Sequence, residues 1–175
     1  MKQLFFVLCV VCLSALSVVA QNSWIPKGAN ATTILVEQFK YCDPNSTLYG
    51  VDEDYEDMRD EFLEKTNESL ENYNQKLGEL FKNYKYSYEL VMLGKVDEMF
   101  PDKQKYRYML RREPYFGKKK VITNSSSQSR EDQSYCGYRY YFYDRLENKK
   151  LAAYYFSGDQ WVQIQRIVFW LNNAK

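Results

Sequence analysis

From Val51 to about Tyr84, apolar positions recur at a helical period. Tyr55, Met58, Phe62, Leu70, Tyr73, Leu77, Leu80 and Tyr84 fall on one side at about 100° per residue. Thr66 and Ser69 interrupt that stripe, so the segment reads as one long helix or as two broken near 66–70. Asp52 and Glu53 suit the positive end of a helix dipole. Beyond Tyr84 the period shortens to two. Tyr86, Tyr88, Leu90 and Met92 alternate with polar neighbours, and Tyr106, Tyr108 and Leu110 alternate with Lys105, Arg107 and Arg111. Lys120 to Thr123 is a shorter strand candidate.

Three close runs follow: Tyr135 to Tyr143, Leu151 to Phe156 and Trp161 to Trp170. Glu147-Asn148-Lys149 and Ser157-Gly158-Asp159 supply turns between them, which favours an antiparallel meander, since parallel strands need a long crossover. Upstream, Gln21 to Tyr41 reads as an arm or short strand centred on Thr33-Ile34-Leu35-Val36, and Asp43-Pro44-Asn45-Ser46 as a turn. The expected fold class is α+β: a long N-terminal helix, or helix pair, packed on a curved antiparallel β-sheet. In plan this resembles the cystatin-like or nuclear-transport-factor-like cones. The likeness lies in the order of elements alone, and fold does not fix function.

The first twenty residues change the setting. Lys2, the apolar stretch Leu4 to Val19 and the small residues Val18-Val19-Ala20 have the layout of a secretory signal peptide, too short for a membrane span. Residues 21–175 are then expected to form one secreted, extracellular domain with no membrane span. Cys9 and Cys12 leave with the leader, and Cys42 and Cys136 are expected to pair in an oxidising compartment. That bridge would close a loop of about 95 residues, worth roughly 4–5 kcal/mol in the chain-entropy model. Intermolecular pairing is the alternative. Four Asn-X-Ser/Thr sequons, at Asn30, Asn45, Asn67 and Asn124, predict N-glycosylation in a eukaryotic host. Asn67 lies off the apolar stripe, and Asn124 sits in a polar stretch, Asn124 to Ser134, that reads as an exposed loop.

Net charge is only +1, but its distribution is uneven. Asp52 to Glu71 is strongly acidic. Lys105, Arg107, Arg111, Arg112, Lys118, Lys119 and Lys120 make 103–120 basic. Such segments are solvated faces or, more specifically, a polyanion-binding surface. Export argues against a nucleic-acid partner and points to sulfated glycans instead.

Aromatic residues make up 17% of the chain, with 17 tyrosines, and they fall on both faces of the expected sheet. Tyr138, Tyr140 and Phe142 share one face of their run, with Tyr141 and Tyr143 on the other. Trp161 and Phe169 share a side of the last run. A single helix covers only one face, so the arm, a homodimer, a protein partner or a small apolar ligand is needed for the second. Tyr138, Tyr140, Phe142, Trp161 and Phe169 are the candidate ligand-binding residues.

The chain holds no histidine, which removes the commonest general base and metal ligand, and no nucleophile-elbow, phosphate-loop or zinc motif is present. Asp144, Glu147 and Asp159 lie near strand ends, where a carboxylate pair could hydrolyse a glycoside, but turn residues have the same pattern. The expectation is a non-catalytic binding module without metal or cofactor, recognising a small apolar molecule or an extracellular protein. Polyanion binding and a tyrosine-rich extracellular structural role are the alternatives.

Overall fold

A computed structural model describes residues 25–43, 56–122, 130–155 and 160–174; within these, side chains at 117–122, 130–136 and 154–155 are not described. The leader, Asn45, Asn124 and Asp159 therefore lie outside the described residues, as do the side chains of Cys136, Lys118, Lys119 and Lys120.

The described chain is mixed α+β. In order it runs β1 (Ile34–Glu37), α1 (Glu56–Glu68), α2 (Leu70–Phe81), β2 (Tyr88–Val91), α3 (Val96–Met99), β3 (Tyr108–Ile122), β4 (Arg130–Asp144), β5 (Lys149–Tyr155) and α4 (Gln160–Asn173). The five strands form one sheet in the order β2-β1-β3-β4-β5. β1 lies parallel to both β2 and β3, whereas β3, β4 and β5 are antiparallel. The sheet is thus mixed, which corrects the all-antiparallel expectation. The helix pair α1–α2 provides the long crossover that parallel β1 and β2 require. All four β1 residues are buried, as befits a strand covered on both faces. Thr33 to Val36, expected as the centre of an arm or short strand, leads into and forms an internal strand of the sheet.

The acidic helical segment does break, with α1 ending at Glu68 and α2 starting at Leu70. Leu63, Leu77 and Phe81 carry its buried stripe. The larger correction concerns the last run. Residues 160–173 form a helix and not a third meander strand. Ile164, Ile167, Val168 and Leu171 are buried at spacings of three, four and seven, which is one helical face. Alternation of Val162 and Ile164 with polar residues imitated a strand, and the β-branched content strengthened the imitation. Arg130 to Ser134, expected as part of an exposed loop, instead pairs with Lys118 to Ile122.

Helices α1, α2 and α4 cover one face of the sheet. The main core there joins Ile34, Val36, Leu110, Tyr140, Phe142, Phe81 and Ile167. On the opposite face a smaller cluster of Leu35, Val91, Val96 and Met109 is packed by Leu93, Phe100, Tyr106 and Tyr143. Among the described residues, no helix is long and apolar enough to cross a membrane.

Two asparagines pin the chain after β1 to the helices. Asn74 Oδ1 accepts from Phe39 N at 2.6 Å while its Nδ2 donates to Phe39 O at 3.0 Å. Asn67 treats Cys42 in the same way, at 2.9 and 2.8 Å. Each carboxamide stands in for a neighbouring strand, satisfying both polar groups of one buried residue.

Candidate functional site

Tyr138, Tyr140 and Phe142 point from β4 towards the helices and are 4%, 1% and 0% exposed. The Tyr138 ring lies 5.6 Å from Phe39 and 5.4 Å from Phe62, and burial pushes its phenol up to about 12. Trp161, at the start of α4, packs on Tyr73 at 5.2 Å and Phe39 at 6.0 Å, with the Lys76 ammonium 4.5 Å above its ring. Phe169 is 63% exposed on the outside of α4. The five aromatics singled out from the sequence thus divide among core, core margin and outer helix surface. Because the last run is helical, Trp161 and Phe169 stand about 12 Å apart along its axis.

The basic segment divides in a similar way, because strand alternation sends neighbours to opposite faces. Arg112 points into the helix-side core. Its guanidinium lies 3.4 Å from the Phe39 ring centroid and 5.9 Å from that of Tyr138. Burial lowers its pKa, and its Nη2 is buried without a hydrogen-bond partner among the described residues. Arg111, on the other face, reaches Glu37 at 3.4 Å. Arg107 is tied to Asp144 at 2.7 Å and to Glu147 at 3.0 Å, and Lys105 sits 5.0 Å over Tyr106. These four side chains form no continuous cationic stripe. Asp144 and Glu147, the carboxylates near strand ends, are joined through Arg107.

The opposite face of the sheet was not resolved by sequence reasoning, and it has a chemistry of its own. Tyr141 and Tyr143 follow each other along one side of β4, with Tyr115 of β3 on the same face, and three cations lie across these three rings. Arg111 sits 5.7 Å from the Tyr141 centroid and 5.5 Å from that of Tyr143. Lys150 lies 4.1 Å over Tyr141, and Arg139 lies 5.1 Å over Tyr115. Glu113 holds two of them, accepting from Lys150 at 2.8 and 2.9 Å and pairing with Arg139 at 3.1 Å. The register explains the convergence: Arg111 is opposite Tyr141, Glu113 opposite Arg139, and an irregularity between Tyr141 and Tyr143 brings Lys150 opposite Tyr143. Tyr141 is only 6% exposed. The cations' methylene stems shield the rings while their charged heads stay near water. Burial raises the Tyr141 phenol, with Arg111 working against it.

This face runs into a cavity of about 200 Å³. Leu93, Val96, Met109 and Tyr143 line its wall together with the charged Asp97, Lys103 and Arg111. The wall is held by Arg145, 3% exposed, which donates to Tyr106 O at 2.9 Å, Phe100 O at 2.7 Å and Asp97 Oδ1 at 2.9 Å. A single buried guanidinium thus fixes the 97–106 segment against the strands. The Arg145 hydrogen bond holds the Asp97 carboxyl below its usual range. The side chain of Cys136 is not described, but its backbone is two residues from Tyr138 on β4, and Cys42 lies close enough to Tyr138 to influence its phenol. Among the described residues no group of three or more His, Cys, Asp or Glu side chains is placed to hold a metal ion. Models of known protein families and curated proteins give no match to this chain.

Proposed function

We propose that this protein is a secreted, N-glycosylated, non-catalytic binding module, stapled by Cys42 and Cys136, that recognises an extracellular protein. Its recognition surface is the tyrosine row of β4 with Arg111, Arg139 and Lys150, together with the adjoining cavity over Met109 and Tyr143. The observation that carries this reading is the set of cations laid across Tyr115, Tyr141 and Tyr143. Tyrosine and arginine dominate binding hot spots because each combines large apolar area with directional polar groups. Arg111, Arg139 and Lys150 set guanidinium and ammonium groups beside these rings, where carboxylates of a protein partner would meet them. The cavity, at about 200 Å³, fits a single side chain better than a drug-sized molecule.

Native mass spectrometry of the glycoprotein from its natural source is the test. A retained protein, lost from a Lys150→Ala variant of unchanged melting point, supports the reading. A bare monomer, with the same behaviour in the variant, refutes it. A small apolar molecule retained instead would favour the pocket reading built on Tyr138, Tyr140, Phe142, Trp161 and Phe169. Polyanion recognition through Lys118, Lys119 and Lys120 remains the second proposal, read by heparin retention that falls steeply with salt.

A further inference from the structure

Asn67 carries two assignments that compete for one nitrogen. Asn67-Glu68-Ser69 is a glycosylation sequon, yet the folded chain uses the Asn67 carboxamide to hold Cys42. We infer that a glycan on Asn67 and the docked 39–42 segment exclude each other, so that the native protein leaves this sequon bare. The inference rests on the secretory reading above, since only an exported chain meets the glycosylation machinery.

The conflict is stereochemical. Oδ1 accepts from Cys42 N and Nδ2 donates to Cys42 O, so both bonds run side by side to one residue. Two parallel bonds from adjacent atoms require the Nδ2 hydrogen on the same side of the planar amide as Oδ1. An N-glycan turns this primary amide into a secondary one, and secondary amides are trans. In the trans form the sugar carbon takes the position beside Oδ1, which is the position of the clamping hydrogen. The remaining hydrogen points away from Cys42. Retaining the clamp would need the disfavoured cis amide, with the sugar driven towards the helix.

Surroundings add to the conflict. Asn67 is only partly exposed, Cys42 is buried at 5%, and Thr66 beside it is buried at 2%. Asn74, one heptad later, makes the same reciprocal clamp on Phe39 but lies in Asn74-Gln75-Lys76, which is no sequon. It is an internal reference for what such a clamp contributes. Ser69 gives a clean control, because its hydroxyl makes no capping hydrogen bond to α2. Ser69→Ala therefore abolishes the sequon and leaves the clamp intact.

The full chain is expressed in a eukaryotic secretory host, and occupied sequons are marked by enzymatic deglycosylation in heavy-oxygen water followed by peptide mass mapping. The secreted monomer should be unmodified at Asn67. Ser69→Ala should melt with the parent, while Asn67→Gln, which lacks both sequon and clamp, melts lower by roughly 5 °C or more. Any molecules glycosylated at Asn67 should melt like Asn67→Gln and be cleaved faster by protease near 39–42. Full occupancy of Asn67 in a monomer that melts with Ser69→Ala overturns the inference, as does equal melting of Asn67→Gln and Ser69→Ala. A chain bare at every sequon and retained in the cell defeats the secretory reading instead, and the two melting comparisons then still decide the clamp.

Discussion

Replacing Asp144 tests how the β4–β5 hairpin holds the proposed recognition face. The carboxylate is 2% exposed and accepts four hydrogen bonds, two from Arg107 at 2.9 and 2.7 Å and two from the backbone N–H groups of Leu146 and Glu147 at 3.0 and 3.1 Å. Burial alone would push the carboxyl up, but Arg107 and the two turn amides outweigh it and hold it below its usual range. Breaking a buried ion pair costs about 3–5 kcal/mol when the partner charge is stranded. Arg107 is not stranded here, since it keeps Glu147 at 3.0 Å and is 30% exposed. Asp144→Ala is therefore placed at the low end, about 3 kcal/mol, or a fall of roughly 6–12 °C in melting temperature. Asp144→Asn keeps an oxygen for the turn amides and loses only the charged bonds, so its cost is about 1.5–2 kcal/mol.

The pH dependence follows from the depressed carboxyl. A carboxylate whose folded pKa lies below its unfolded value contributes stability that is complete above the unfolded value, near 4. That contribution disappears as pH falls through the folded pKa. Urea unfolding followed by tryptophan fluorescence from pH 7 to pH 2.5 should show the gap between parent and Asp144→Asn narrowing below about pH 4. A gap that widens on acidification, or an Asp144→Asn protein as stable as the parent at pH 7, refutes the reasoning.

Two further substitutions probe the core and the turn. Arg112→Met exchanges a buried guanidinium with an unpartnered Nη2 for an apolar side chain of similar reach, and the melting point should hold or rise by a few degrees. A fall of several degrees by calorimetry would mean that the charge has an acceptor beyond the described residues. Asn148 holds φ at 51°, where most L-residues are strained and only achiral glycine is free, and its Oδ1 accepts from the Tyr143 hydroxyl. Asn148→Ala should cost about 1 kcal/mol or more, with Asn148→Gly recovering the backbone part; equal stability of all three in urea would refute that account.

Local pattern gave away much of this molecule. The choice between one helix and two stayed open until packing placed the break at Ser69, whereas the 3.6-residue period of 56–81 and the two-residue period within β3 and β4 were legible, because each depends on neighbours along the chain. Asn148 marked its turn for the same reason. The last run was misread because Trp161 to Trp170 satisfies both periods over a short stretch. Spacings of three, four and seven among Ile164, Ile167, Val168 and Leu171 were the signal that would have separated them. The mixed sheet was hidden more deeply, although adjacent apolar residues at Ile34, Leu35 and Val36 already marked a strand buried on both sides.

Amino-acid order alone determined the types of most elements before the last run, the leader-like start, the absence of histidine and the surplus of aromatic rings. It left open where those rings go, because alternation fixes which side chains share a strand face without saying what covers it. Tertiary structure decided that. Three helices enclose Tyr138, Tyr140 and Phe142, and cations from β3, β4 and β5 cross the tyrosines on the reverse side. It likewise gave Asn67 and Asn74 a shared task that no sequence window reveals, since their partners Cys42 and Phe39 are brought to them only when distant segments pack.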